Sequence, residues 1–154
     1  MKFPYEKYPA YPIPTHPNRK SVLRPTIPVY LINKDTGAET GYLALIDSGA
    51  DYCIFHASIG EVAGIDVESG GKMEYIGVSG VKQAAYFHNV VISIGGWKLG
   101  CYVGFSYDFD KIQIPYGILG QDGFFDKFKV VLDANKLEIE LKENPNIKLT
   151  PLHK

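Results

Sequence analysis

The sequence predicts an all-β fold, either a barrel or a sandwich. Short apolar or alternating segments follow one another along the chain, and turn residues separate them at short intervals. The clearest pair covers residues 89–94 and 97–105, two alternating segments joined by Gly95 and Gly96, which form a typical two-residue hairpin turn. Little of the chain has a helical pattern, and no internal repeat is visible.

Composition indicates one globular domain. The chain has 154 residues, of which 45% are hydrophobic and 21% charged. A net charge of -1 argues against nucleic acid or an anionic membrane as the main partner. No apolar run approaches the length of a membrane span, and the N-terminus lacks the apolar core of a secretory signal. Cys53 and Cys101 are expected to be core residues within strands, not a disulfide, so we expect a cytoplasmic protein.

Residues 1–24 are predicted to form an extended arm. Seven of the ten prolines fall within the first 28 residues and exclude both helix and central strand. Tyr5, Tyr8 and Tyr11 alternate with these prolines. The arm is therefore either a mobile leader or a segment that docks on the body of the protein or on a partner subunit.

Residues 25–142 are predicted to form the domain, and residues 143–154 a tail. Within the domain, two strands over 29–32 and 39–45 enclose a turn, and residues 57–63 fit a short helix ended by Gly64. The remaining predicted elements are a hairpin over 73–87 with a glycine-rich tip, a polar and aromatic loop over 106–115, a short helix or turn over 121–129, and paired strands over 129–132 and 136–141. The last strand is expected to present one apolar face, made of Leu137, Ile139 and Leu141.

One stretch carries a candidate catalytic carboxylate. An apolar run over residues 43–46 stops at Asp47-Ser48-Gly49, and a second apolar run follows over 52–55. Gly49 supplies backbone freedom, and Ser48 can form local hydrogen bonds. Such residues are common in ordinary turns, so this stretch alone leaves a structural and a catalytic interpretation open.

A resemblance to a known family favours the catalytic interpretation. The sequence A-L-I-D-S-G-A-D over residues 44–51 resembles the first signature of the retropepsin-like aspartic proteases, single-domain relatives of pepsin. The sequence Y-G-I-L-G-Q-D-G-F-F over residues 116–125 is similar to their second signature, and the glycine-tipped hairpin lies between the two, where the family has its flap. The resemblance covers residues from about 24 to 141 and is strongest to prokaryotic members.

The resemblance implies a small closed β-barrel of the pepsin-half type, with one or two short helices and a flap hairpin. It implies an aspartic endopeptidase whose catalytic residues are Asp47, Ser48 and Gly49. The substrate would be a peptide or protein. The residues implied to contact it are Ala50, Asp51 and, at the flap tip, Gly77, Val78, Ser79 and Gly80. Residues 118–120 would cross behind the Asp47 loop, with Gly120 allowing close backbone approach.

The chemistry implies a homodimer. Hydrolysis by this mechanism places one water between two carboxylates, which share a proton, as is established for aspartic protease dyads. This chain holds a single Asp-Ser-Gly, so a two-fold axis would bring Asp47 beside the partner subunit's Asp47. The alternative is a non-catalytic dimeric peptide- or protein-binding module on the same fold. An intact acid motif favours the enzyme, because a buried acid pair is costly for a protein that only binds.

The chain also departs from the family. Retroviral members carry an arginine where this chain has Gln121, so Asp51 lacks that ion pair. The proline-rich arm, Pro145 and Pro151 fit poorly with the viral arrangement in which both termini form one dimer sheet.

Other candidates for chemistry are weaker. No metal site or cofactor is expected, because the histidines show no ligand spacing: His16, His56, His88 and His153. Cys53 lacks an evident base, and a glycosidase pair of Asp47 with Asp51 lacks a facing carboxylate. An oligonucleotide-binding barrel would need a basic aromatic face. Asp122 and Asp126 are expected to be a helix N-terminal charge and part of a solvated face.

Overall fold

A computed structural model describes residues 1–77 and 80–147 and the backbone of 150–151, and in these residues the protein is mostly β. The strands are β1 (Lys2–Pro4), β2 (Glu6–Pro9), β3 (Ser21–Arg24), β4 (Thr26–Ile32), β5 (Glu39–Ile46), β6 (Ile54–His56), β7 (Gly71–Ile76), β8 (Lys82–Ile94), β9 (Trp97–Ser106), β10 (Gly117–Leu119), β11 (Phe128–Asp133), β12 (Glu138–Glu143) and β13 (Thr150–Pro151). The helical elements are α1 (Ala57–Val62), α2 (Tyr107–Lys111) and a 3₁₀ turn (Val67–Ser69). The all-β prediction is confirmed.

The main sheet forms a ring of hydrogen-bonded strands. Its order runs β9-β6-β10-β5-β4-β8, and β8 also pairs with β9, which closes the ring. Most of these pairs are antiparallel, whereas β10 is parallel to β5 and β6 is parallel to β9. The ring encloses an apolar core whose largest fully buried members include Phe55, Phe105, Ile27, Leu31, Ile92 and Leu99.

The predicted alternation of the β8–β9 hairpin is confirmed. One strand buries Val90, Ile92 and Ile94, and the other buries Leu99, Cys101, Val103 and Phe105. Gly95 and Gly96 both have positive φ, +56° and +89°, as a two-residue turn of this kind requires. The predicted hairpin over 73–87 is confirmed as β7 paired with the first half of β8. The predicted short helix is α1, after which Gly64, at φ +77°, donates its N–H to the Glu61 carbonyl.

The N-terminal arm lies on the body of its own chain. Its first strand, β1, pairs with β12 in a small sheet of order β1-β12-β11, and β2 pairs with β3 as a hairpin. The α-amino group of Met1 donates to the Leu141 carbonyl at 2.8 Å. Tyr8 is buried, and its hydroxyl donates to Thr26 Oγ1 at 2.9 Å. Tyr5 packs against the core and Tyr8 is buried, whereas Tyr11 is 91% exposed, so two of the three arm tyrosines attach the arm to the body.

Three local predictions are wrong. Residues 107–111 form α2 and not a loop, because tertiary contacts stabilise a helix too short to form alone: Phe109 is buried, and the Ser58 hydroxyl donates to Asp110. Leu137 belongs to a turn, with φ +53° and 40% exposure, so it is not on the apolar face of β12. Residues 121–127 form turns, one of the two predicted alternatives, so Asp122 does not lie at a helix N-terminus. Asp126 is exposed, as expected, and accepts the N–H of Gly123 at 3.0 Å. None of the helices in the described part of the chain is long and apolar enough to cross a membrane.

Candidate active site

Asp47 lies at the end of β5, where the chain leaves the sheet in a tight turn. Its N–H donates to the Leu119 carbonyl of β10 at 3.0 Å. Its carboxylate Oδ1 accepts the N–H of Gly49 at 2.9 Å, and its carbonyl accepts the N–H of Ala50 at 3.2 Å. Asp47 is half-buried, whereas Ser48 and Gly49 are exposed. The turn therefore holds one carboxylate in a defined orientation at the protein surface.

The second motif passes directly behind this turn. The backbone N–H of Gln121 donates to the Ala50 carbonyl at 2.8 Å, and the N–H of Asp122 donates to the Asp51 carbonyl at 2.9 Å. A methyl group on Gly120 would overlap the carbonyl oxygens of its neighbours, that of Ala50 at 2.7 Å. The close backbone approach expected at Gly120 is therefore present, and its physical cause is the missing Cβ.

Gln121 has a direct part in this arrangement. Its side-chain Nε2 donates to the Ser48 carbonyl at 2.7 Å. Retroviral members have an arginine at this position, which pairs with the aspartate that corresponds to Asp51. In this chain the residue at this position instead donates a neutral hydrogen bond to the Asp47 turn. Asp51 is exposed and forms no ion pair with any described residue.

A cavity of about 390 Å³ opens beside Asp47. It lies between the Asp47 turn, the β7–β8 hairpin and the segment that contains α2. The lining comprises Asp47, Gly49, Ala50, Asp51, Tyr52, Ile54, Tyr75, Ile76, Gly77, Gln83, Phe109, Ile112, Ile114 and Ile118. Its carboxylates are Asp47 and Asp51, and no basic side chain is among these lining residues. An apolar wall with few polar groups is typical of a site that binds side chains of a peptide or a small molecule.

The cavity unites most of the predicted site residues. Asp47, Gly49, Ala50, Asp51 and Gly77 line it. Ser48 lies on the exposed surface of the same turn, outside the lining. Gly80 is exposed at the hairpin tip, where its N–H donates to the Gly77 carbonyl at 2.9 Å. Val78 and Ser79 lie outside the described residues.

The α2 segment is the part of the site that sequence reasoning missed. It contributes Phe109, Ile112 and Ile114 to the cavity. Asp108 anchors this segment to the hairpin, since its carboxylate accepts the N–H of Ala84 in β8 at 3.0 Å. That N–H, together with nearby Lys111, lowers the pKa of the Asp108 carboxyl below its ordinary value. The alternation of isoleucines over residues 112–114 was a usable signal, but nothing local indicated which surface they face.

The cysteines are not available as nucleophiles. Burial raises the pKa of the Cys53 thiol to about 12, and burial raises that of Cys101 to about 12 as well. Cys53 accepts the N–H of Gly120 and donates to the Asp122 carbonyl, both at 3.4 Å. It therefore supports the second motif from below, and both cysteines are free and buried.

None of the described histidines lines the cavity, although His56 packs edge to face against Phe109, which does. His56 is buried and shares a 2.9 Å hydrogen bond with the Tyr42 hydroxyl, while His88 Nε2 bonds the Val67 carbonyl. Within residues 1–77 and 80–147, no group of three His, Cys, Asp or Glu side chains is arranged to hold a metal ion.

No family model matches the chain, and no curated protein matches it.

Proposed function

We propose that this protein is an aspartic endopeptidase that acts as a homodimer, with Asp47 as the catalytic carboxylate. The observation that carries the proposal is the close backbone contact between the two motifs. Gly120 and Gln121 support a turn that presents Asp47 to an apolar cavity beneath a glycine-tipped hairpin. An ordinary surface turn needs no such support, whereas a catalytic carboxylate must be held in a fixed orientation.

Each chain supplies one half of the reaction centre. In the dimer, Asp47 and the partner subunit's Asp47 hold one water between them. One carboxylate accepts a proton from this water as it attacks the peptide carbonyl carbon, and the other, protonated, donates a hydrogen bond to the carbonyl oxygen. The first carboxyl then passes the proton that it accepted from the water to the amide nitrogen, and the C–N bond of the tetrahedral intermediate breaks. The amine leaves, and the acid pair again holds one proton. The exposed position of Ser48 suits a contact across the two-fold axis.

The other parts of the cavity bind and enclose the peptide. The proposed fold is the small closed barrel of a pepsin half, and the β7–β8 hairpin is its flap. Closure of the flap over the peptide excludes water from the reaction. The aliphatic and aromatic lining accepts apolar side chains on either side of the scissile bond.

Asp47→Asn provides the first test. We expect peptidase activity to vanish while peptide binding and thermal stability remain, because asparagine keeps the size of the side chain but cannot accept the proton. Asp35→Asn is the matched control, since Asp35 is exposed in the turn between β4 and β5. Full activity in Asp47→Asn would overturn the mechanism. Peptide binding by a wild-type protein that hydrolyses no peptide would instead indicate the binding module.

A mixing experiment tests the dimer. Wild-type and Asp47→Asn chains are combined at constant total concentration and allowed to exchange subunits. If the dyad needs one aspartate from each chain, activity falls with the square of the wild-type fraction, because mixed dimers are inactive. A linear fall would mean that a single chain contains the whole active site.

A further inference from the structure

The segment that follows α2 separates two cavities. Ile112 and Ile114 line the cavity beside Asp47. Gln113, Pro115 and Tyr116 line a second cavity of about 440 Å³, whose opposite side is the N-terminal arm. We call residues 112–116 the wall loop, because one layer of backbone divides the proposed substrate cleft from the arm.

The arm holds this loop at its C-terminal end. Arg24 Nη1 donates to the Tyr116 hydroxyl, and the guanidinium carbon lies 5.5 Å from the centre of the Tyr116 ring. The ring of Tyr8 packs against Tyr116 edge to face, with centroids 5.2 Å apart. Tyr116 is only 5% exposed. We call these three side chains, two from the arm and one from the loop, the arm clamp.

The wall loop needs such support. Gln113 has φ +52°, a left-handed conformation that non-glycine residues rarely adopt and that persists only where the surroundings enforce it. On the other side of the clamp, Tyr116 leads directly into β10. The Leu119 carbonyl of β10 accepts the N–H of Asp47. The clamp is therefore connected both to the wall of the cleft and to the turn that carries the carboxylate.

We propose that the N-terminal arm is a working part of the substrate cleft, in which Arg24 positions the wall loop through Tyr116. The clamp keeps Ile112 and Ile114 in place as the apolar surface against which a large substrate side chain packs. Arg24 and Tyr8 touch no substrate, so they are positioning residues. This inference rests on the proposed function, and it assigns selectivity for bulky side chains to the arm and the wall loop, which share only Tyr116 with the two motifs.

The test measures kcat and KM separately for two peptides. They differ in one residue beside the scissile bond, a leucine in one and an alanine in the other. In Tyr116→Phe and Arg24→Ala, we expect KM for the leucine peptide to rise on the order of tenfold, with kcat within about twofold of wild type. The alanine peptide should show little change, because a small side chain does not reach the wall. In Arg24→Lys, KM for the leucine peptide should return only part of the way to the wild-type value, because lysine lacks the planar guanidinium.

Lys20→Ala is the matched control, since it removes an exposed positive charge just before β3, near the arm hairpin, without touching Tyr116. It should leave both peptides unchanged. Equal KM changes for the two peptides, or the same change in Lys20→Ala, would overturn the proposal. Should Arg24→Ala fail to fold, as judged by thermal unfolding, Tyr116→Phe decides, because it removes a single hydroxyl.

Backbone amide exchange gives a readout that does not depend on catalysis. Residues 112–119 should exchange on the order of tenfold faster in Arg24→Ala than in wild type, while β4 is unchanged. Unchanged exchange in residues 112–119 would overturn the clamp, whatever the activity. If the wild-type protein hydrolyses no peptide but the exchange result is positive, the proposed function fails and the clamp stands.

Discussion

At Gly120 the two motifs of the chain come into contact, and the missing side chain permits it. The backbone there passes so close to the carbonyls of Ala50 and Tyr52 that a methyl group has no room. The neighbouring Gln121 uses both its backbone and its side chain on the Asp47 turn. The orientation of the candidate catalytic carboxylate therefore depends on two residues that carry no charge.

Gly120→Ala should destabilise the protein by about 1–3 kcal/mol, because the added methyl group forces the two backbones apart. Peptidase activity should fall even under conditions where the variant is fully folded, since the displaced backbone is the one that orients Asp47. Urea denaturation and peptidase assays measure the two effects.

Gly100→Ala is the control for this substitution. Gly100 lies in β9, and a Cβ there meets nothing within 4 Å. The control should have wild-type activity and equal or slightly higher stability. If Gly120→Ala is as stable and as active as this control, the contact between the motifs is not needed to orient Asp47.

Among the elements, the short helix α2 contributes Phe109 to the cavity lining and leads into the two isoleucines that follow it there. Its five residues are anchored on both sides, by Asp108 to β8 and by Asp110 to Ser58 at the start of α1. The segment thereby ties one wall of the cleft to the hairpin that we propose as the flap. A flap needs a fixed base, and Asp108 holds the β8 side of this hairpin.

Asp108 should make this tie sensitive to acid. The Ala84 N–H lowers the pKa of Asp108 below its ordinary value of 3.8, so the folded state favours the charged carboxylate. Its contribution to stability is therefore present above pH 3.8 and is lost as the pH falls through the lower pKa of the folded state. Asp108→Asn should be less stable than wild type at neutral pH, and the difference should shrink as the pH drops below 3.8.

Asp133→Asn separates stability from function. The Lys136 N–H lowers the pKa of Asp133 as well, but Asp133 is the last residue of β11, outside the cavity lining. Both variants should show the same pH trend in thermal unfolding. Only Asp108→Asn should raise KM for peptides, and an equal effect of Asp133→Asn on KM would refute the role of the α2 tie.

For the whole molecule, the pairing of β1 with β12 determines which strand edges are left for a dimer interface. In the viral arrangement the termini of two subunits form a common sheet. Here Lys2–Pro4 occupies one edge of β12 within the same chain, and β11 occupies the other. The dimer that we propose therefore does not share a sheet through β12, and we place its interface at the Asp47 turn.

Phe3→Ala tests this assignment. Phe3 is half-buried against the core, so its truncation should destabilise a dilute, monomeric sample by about 1–2 kcal/mol. If β1 were supplied by a partner subunit, the variant and the wild type would be equally stable as monomers. Sedimentation establishes the monomeric concentration, and urea denaturation measures stability.

Lys2→Ala is the control on the same strand. Lys2 is 62% exposed and pairs with Glu138 at 2.7 Å. A surface ion pair of this kind contributes little, so Lys2→Ala should be about as stable as the wild type.

Local signals in the sequence were sufficient for much of the fold. The β8–β9 hairpin follows from alternation and two glycines, and α1 from a short apolar pattern ended by Gly64. In both cases the information lies in adjacent residues, because turn geometry and side-chain period are properties of a short segment of backbone. The close approach at Gly120 was implied by the resemblance of the second motif, not by a local pattern.

The lining of the cleft depends on contacts between segments that are far apart in the sequence. The Arg24–Tyr116 contact joins residues 92 positions apart, and the Gln121–Ser48 bond joins residues 73 apart. The helix α2 exists because of such contacts, and the positive φ of Leu137 removed it from the face that alternation assigned to it. By itself, the sequence determined the strands, the turns and the candidate carboxylate. Packing between distant segments decided what surrounds that carboxylate, because no local pattern specifies which surfaces meet.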